Sequence, residues 1–165
     1  MIIEHVGNLL DVTKGIIVHG CNCQGVMGSG VAKSIRDKWP SVYNAYNDHY
    51  NFEGLHLGDT IPVCGERNTN SIHISKYTHQ LPEELIVVNA MTQYEYGGVK
   101  GVVYVDYDAV AACFSCIKLL ARDTGLPVHF PLIGCGLANG DWNIVSEIIE
   151  SALGPDIEKH LWRLA

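Results

Sequence analysis

The chain has 165 residues and a mass of 18.1 kDa, with 47% hydrophobic and 18% charged residues, which fits one globular domain and is too apolar for a disordered chain. Its formal net charge of −7, with only 11 scattered Lys and Arg, excludes extended nucleic-acid binding, because affinity for a polyphosphate backbone comes mainly from clustered basic side chains. No run approaches the roughly 18–20 apolar residues of a membrane span and the first residues do not resemble a signal peptide, so a cytoplasmic protein with reduced thiols and no membrane contact is expected.

Ile2 to Val6 and Gly15 to His19 are short β-branched runs that read as strands joined by a turn. Val31, Ile35 and Trp39 recur at helical spacing, Pro40 ends that helix, and Ser41 is placed to cap the next, which carries Val42, Ala45, Tyr46 and Tyr50 before Gly54 closes it. Thr60 to Cys64 reads as an edge strand, since Pro62 cannot donate to a central ladder. A polar stretch from Gly65 to Ser71 precedes a short strand at Ile72 to Ile74. Leu85 to Ala90 is apolar almost without break, as expected of a strand covered on both faces.

Tyr94 to Gly101, with Gly97 and Gly98, reads as a loop. From Asp106 onward, Val110, Cys113, Phe114, Ile117, Leu120 and Ala121 give one apolar helical face. Val128 to Ile133 reads as a strand, Trp142 to Ala152 as a helix ended by Gly154 and Pro155, and Ile157 to Leu164 as a last strand. The alternation of strands and helices implies an α/β fold with a mixed, largely parallel sheet and helices on both faces. In such sheets, ligands bind beyond the carboxyl ends of the strands.

Two segments carry the chemistry. HGCNCQGVMGSGVAKSI, from His19 to Ile35, runs from a strand through a glycine-rich loop into a helix. Gly28, Ser29 and Gly30 let backbone approach a ligand closely, and the following helix presents free N–H groups and its positive dipole end. PLIGCGLANGDWNIV, from Pro131 to Val145, repeats the pattern. One such loop can be a mere tight turn, but two at the same sheet end form a cradle for a diphosphate. Neither loop has the lysine of GxxxxGK[ST], and Lys33 stands where GxGxxG needs its third glycine, so triphosphate hydrolysis and standard dinucleotide binding are disfavoured.

Other residues have competing readings. His19 can be a satisfied strand histidine or an acid–base group, since its unperturbed pKa lies near neutrality. Asp141 is an excellent helix cap, and capping and catalysis can coexist. Cys21, Cys23 and His19 lack the second ligand pair of a zinc site, so no metal is expected. Cys113 and Cys116 share a helix face and read as core. Cys135 has no basic neighbour in sequence to activate it as a thiolate. Tyr94 and Tyr96 either pack on the surface or cover a ligand.

The two glycine segments resemble those of macrodomains, which bind ADP-ribose and its derivatives. The stretch IIVHGCNCQGVMGSGVA, with NAMTQ at Asn89 to Gln93 and GCGLANGDW at Gly134 to Trp142, is similar to the branch of ADP-ribose 1″-phosphate phosphatases typified by a yeast enzyme and related phage and bacterial proteins. The resemblance spans nearly the whole chain. It implies a single three-layer α/β/α macrodomain over residues 1–165, acting on a small-molecule ADP-ribose derivative without a cofactor.

By this resemblance, Asn8 stands where the family often has an Asp that reads the adenine amino group, with the N–H of Leu9 beside it. Asn22 would contact the distal ribose. Gly28, Ser29, Gly30 and Val31 would hold one side of the diphosphate, and Gly134, Cys135, Gly136 and Leu137 the other. His19 is the candidate base or nucleophile, and Asp141 its orienting partner or the alternative base. Gln93 occupies the region where a neighbouring branch of ADP-ribosyl hydrolases keeps a catalytic lysine. Phosphatase, hydrolase of ADP-ribosylated macromolecules and non-catalytic binding module are the three competing functions.

Overall fold

A computed structural model describes residues 1–64 and 81–164, so the strand expected at Ile72 to Ile74 lies outside the described residues. Among the described residues, six strands form one sheet: β1 (Ile3–Val6), β2 (Gly15–Asn22), β3 (Thr60–Cys64), β4 (Leu85–Gln93), β5 (Val128–Phe130) and β6 (Lys159–Arg163). Their order is β1-β6-β5-β2-β4-β3. Every neighbouring pair is parallel except β3 with β4. Pro62 sits on the edge strand β3, where a residue without an N–H does least damage.

Among the described residues, four helices cover the sheet: α1 (Gly30–Lys38), α2 (Pro40–Phe52), α3 (Tyr107–Thr124) and α4 (Trp142–Leu153). The two interior strands show how the layers arise. Ile16 and Val18 of β2, with Ile86, Val88 and Ala90 of β4, pack among Phe114, Ile117, Val145 and Ile149 of α3 and α4. Their alternates Ile17, Leu85 and Val87 pack against Ile35 and Val42 of α1 and α2. Period-two alternation with both faces apolar yields two cores and a three-layer α/β/α domain. Among the described residues, no helix is long and apolar enough to cross a membrane.

β1 and β2 are joined through a 3-10 turn at Leu9–Asp11, and β1 pairs with β6 at the far edge of the sheet. Three expectations require correction. Helix α2 starts at Pro40, with Trp39 in the cap position and Ser41 buried within the first turn; proline is pre-set for that first position because its missing N–H has no intrahelical role there. β5 ends at Phe130, so Pro131 to Ile133 belong to the loop. Cys113 is buried but Cys116 is exposed, because it falls just outside the stripe of Val110, Cys113, Phe114, Ile117 and Ala121.

Candidate functional site

The parallel strands β2, β5 and β4 end on the same side of the sheet, and their outgoing loops enclose a cleft of about 410 Å³. The first glycine segment contributes Gly28, Ser29, Gly30 and Val31 to its wall, the second Gly134, Gly136 and Leu137, and the end of β4 and the loop after it add Gln93, Tyr96 and Gly97. His19, Gly20, Cys21 and Asn22 also line it. Thus the structure brings the two glycine loops and His19 together. Asn8, Leu9, Cys135, Tyr94 and Asp141 are not among the lining residues.

Side-chain capping divides the helices: α3 and α4 have it, whereas α1, at the cleft, and α2, which starts on Pro40, do not. Asp106 and Asp141 cap α3 and α4 by accepting from Ala109 N and Asn143 N. Ser29, in the same position on α1, makes no side-chain cap bond. The first N–H groups of a helix have no intrahelical acceptor, so α1 leaves donors and a positive dipole end at the cleft wall. A side chain added at Gly30 or Gly136 would meet nothing within 4 Å, and one at Gly28 only Val26 Cγ1 at 3.6 Å. All three glycines line the cleft, and the space beside them is open.

Gly134 has a different role. It has φ +73°, and a Cβ there would lie 2.5 Å from Val105 Cγ2, so backbone conformation and packing both require glycine. The second loop closes through Gly140 N to Gly134 O at 2.7 Å and Asn139 N to Gly136 O at 3.0 Å. Asn139 Nδ2 also donates to Val99 O and Val102 O at 3.0 and 2.7 Å, tying this loop to the one after β4.

Asn22 organises the first loop. Its Oδ1 accepts from Gln24 N at 2.9 Å and Val26 N at 3.4 Å, while Nδ2 donates to Val26 O at 2.8 Å. The buried Tyr46 hydroxyl lies 2.7 Å from Asn22 O and 2.9 Å from Asn22 Oδ1, and burial raises its pKa. The side chain expected to reach a ribose is therefore engaged in holding the loop. Asn8 is likewise engaged, accepting from Leu10 N at 3.0 Å as the cap of the 3-10 turn.

His19 forms part of the cleft floor and is only 1% exposed. Its Nε2 lies 2.6 Å from Asn89 Oδ1. Burial lowers its pKa to about 4, against a smaller opposing effect of the Asn89 bond, so the ring is neutral at pH 7. The partner of the ring is thus Asn89 on β4, which the sequence reading did not assign; Asp141 is exposed and its carboxylate bonds Asn143 N at 2.9 Å. The apolar run around Asn89 was the available signal, because a polar residue inside a doubly buried strand needs a partner.

Cys21, Cys23 and Cys135, in and beside the cleft, present thiols rather than thiolates. Burial raises the Cys21 pKa well above its usual value and that of Cys23 to about 11. Cys135 is pushed to about 11 by burial and then by the charge of Asp141. A nucleophilic cysteine needs the opposite shift. Among the described residues, no group of three or more His, Cys, Asp or Glu is arranged to hold a metal ion.

The Macro domain profile matches residues 18–149, which contain both glycine loops. The chain belongs to the macro domain family. Over 147 residues this macrodomain is 26% identical to an ADP-ribose 1″-phosphate phosphatase of Scheffersomyces stipitis, covering 82% of each chain. It is 33% identical over 97 residues to a protein of the same name from Aspergillus oryzae, covering 56% of this chain and 48% of that one; the match thus spans about half of that relative. A DNA ADP-ribosyl glycohydrolase of Mycobacterium tuberculosis is 24% identical over 160 residues, 96% of this chain and 41% of that one. The solved macrodomain of DarG from the same organism superposes with a TM-score of 0.77 at 22% identity, covering 100% of this chain and 99% of that one, which is a likeness of fold.

Proposed function

We propose that this macrodomain is an ADP-ribose 1″-phosphate phosphatase. The observation that carries the reading is the single cleft in which the uncapped start of α1, the open loop at Gly136 and the buried neutral His19 meet. The names of the Scheffersomyces and Aspergillus relatives support the same substrate.

In this reading the backbone N–H groups around Gly28 to Val31 and Gly134 to Leu137 hold the diphosphate, compensating for the small number of basic side chains. The terminal phosphate lies toward His19. Water attacks phosphorus as the bond from phosphorus to the anomeric oxygen breaks. His19 accepts the proton of the water, and the departing oxygen regains a proton to give ADP-ribose and inorganic phosphate. A pKa near 4 keeps His19 in its accepting form throughout the neutral range. Asp141 is the alternative base, because only one of its oxygens caps α4. Asn8 and the N–H of Leu9 remain the proposed adenine contacts.

The test is phosphate release from ADP-ribose 1″-phosphate. Wild type should release phosphate and His19→Ala should lose about 100-fold or more in turnover; no release at micromolar enzyme refutes the reading. A second reading, removal of ADP-ribose from a modified macromolecule, is favoured by the match to the glycohydrolase along 96% of this chain. Gel assays on ADP-ribosylated DNA and protein separate the two: label loss without phosphate release supports the hydrolase, and binding without either supports a reader.

A further inference from the structure

Asn89 is the direct strand neighbour of His19 in the β2–β4 register and is fully buried. Both ends of its amide are held. Nδ2 donates to Val42 O at 3.1 Å, and Oδ1 lies 2.6 Å from His19 Nε2. A backbone carbonyl can only accept, so the amide nitrogen must face Val42 and the amide oxygen must face the imidazole. That oxygen can only accept as well, so Nε2 must carry the proton. The thiol of Cys21 lies 3.8 Å from the same oxygen and 3.6 and 3.8 Å from His19 Nε2 and Nδ1; it is only a weak donor, neutral because burial raises its pKa, and leaves the assignment unchanged.

We propose that Asn89 is the positioning residue of the site, holding His19 in one ring orientation and one tautomer with Nδ1 as its only proton-accepting nitrogen. The inference rests on the reading of His19 as the base. Any proton taken from the attacking water then goes to Nδ1, and Nε2 keeps its proton throughout. The conventional partner in such a pair is a carboxylate, which would also raise the basicity of the ring. An amide fixes the tautomer without adding charge, so the imidazole stays unprotonated even in mild acid. A purely structural pair would satisfy the same two buried groups, but it would not couple the identity of residue 89 to the pH dependence of turnover.

The tautomer is read directly in wild-type protein by two-bond hydrogen–nitrogen NMR on histidine labelled with nitrogen-15, a measurement that needs neither substrate nor variant. The expected pattern is a proton on Nε2; a proton on Nδ1 overturns the proposal. Asn89→Asp should raise the His19 titration midpoint by about one to three pH units. The acidic limb of kcat/KM should move with it, while KM at neutral pH changes less than threefold. A midpoint that rises while the limb stays in place, or a midpoint that does not move, overturns it. Full turnover by His19→Ala refutes the base role, and with it the catalytic part of this proposal, while the NMR tautomer is still read independently.

Discussion

Replacing Gly134 and Gly136 in turn by alanine separates the folding role of the second loop from its ligand role. At Gly134 the φ of +73° costs an alanine about 1 kcal/mol or more. The new methyl also meets Val105 Cγ2 at 2.5 Å, and overpacking of this kind adds about 1–3 kcal/mol. A total near 2–4 kcal/mol corresponds, at about 2–4 °C per kcal/mol for a chain of this size, to a fall in Tm of roughly 5–15 °C. At Gly136 a methyl meets nothing within 4 Å, so stability should stay within about 0.5 kcal/mol. If the loop donates to a phosphate, the intruding methyl displaces a charge-assisted bond of about 1.5–3 kcal/mol, and ADP-ribose affinity should fall about 10- to 100-fold. Thermal melts and calorimetry give both readouts. A Gly136→Ala protein that binds ADP-ribose like wild type, or a Gly134→Ala protein that melts like wild type, would refute the reasoning.

Three further outcomes are expected. Tyr46→Phe removes a buried hydroxyl from Asn22 and should cost about 1–3 kcal/mol in urea unfolding; an unchanged midpoint would mean that Asn22 holds the loop unaided. Asp141→Ala should lose about 1 kcal/mol with the α4 cap, whereas Asp141→Asn keeps the cap and the Tm; a drop of about 100-fold in the turnover of that stable variant assigns the alternative base role to Asp141. His129, whose Nδ1 accepts from Trp162 Nε1 at 2.9 Å, has its pKa lowered to about 4 by burial and then by His160 and His5. The unfolded state therefore binds more protons between about pH 6.5 and 4, and stability falls as pH drops through that window. His129→Asn should flatten this fall without abolishing it, because His19 titrates over the same range; identical pH–stability curves would contradict the assignment.

Much of the site was legible because its determinants are local. Glycine clusters between a strand and a helix mark both walls of the cleft, and Asp141 before Trp142 marks a helix start. Pro62 marks an edge because a missing N–H is a property of one residue. What escaped depends on distant partners. The pairing of β1 with β6 joins distant segments, and nothing local to either run specifies that partner. Asn22 looks like a ligand contact in sequence, yet Tyr46, 24 residues away, completes its role in fixing the loop. His19 was visible as a titratable group, but its partner is Asn89, 70 residues away and across a strand pair rather than on the Asp141 loop. The exposure of Cys116 turned on the width of a buried stripe, which a repeat of apolar letters does not define.

The account depends most on the two loops acting as one cradle. Titrating ADP-ribose into protein labelled with nitrogen-15 and following backbone amides tests this directly. The amides of Gly28 to Val31 and of Gly134 to Leu137 should shift together along one saturating curve. Saturable binding that moves only one of these segments, or neither, would contradict it.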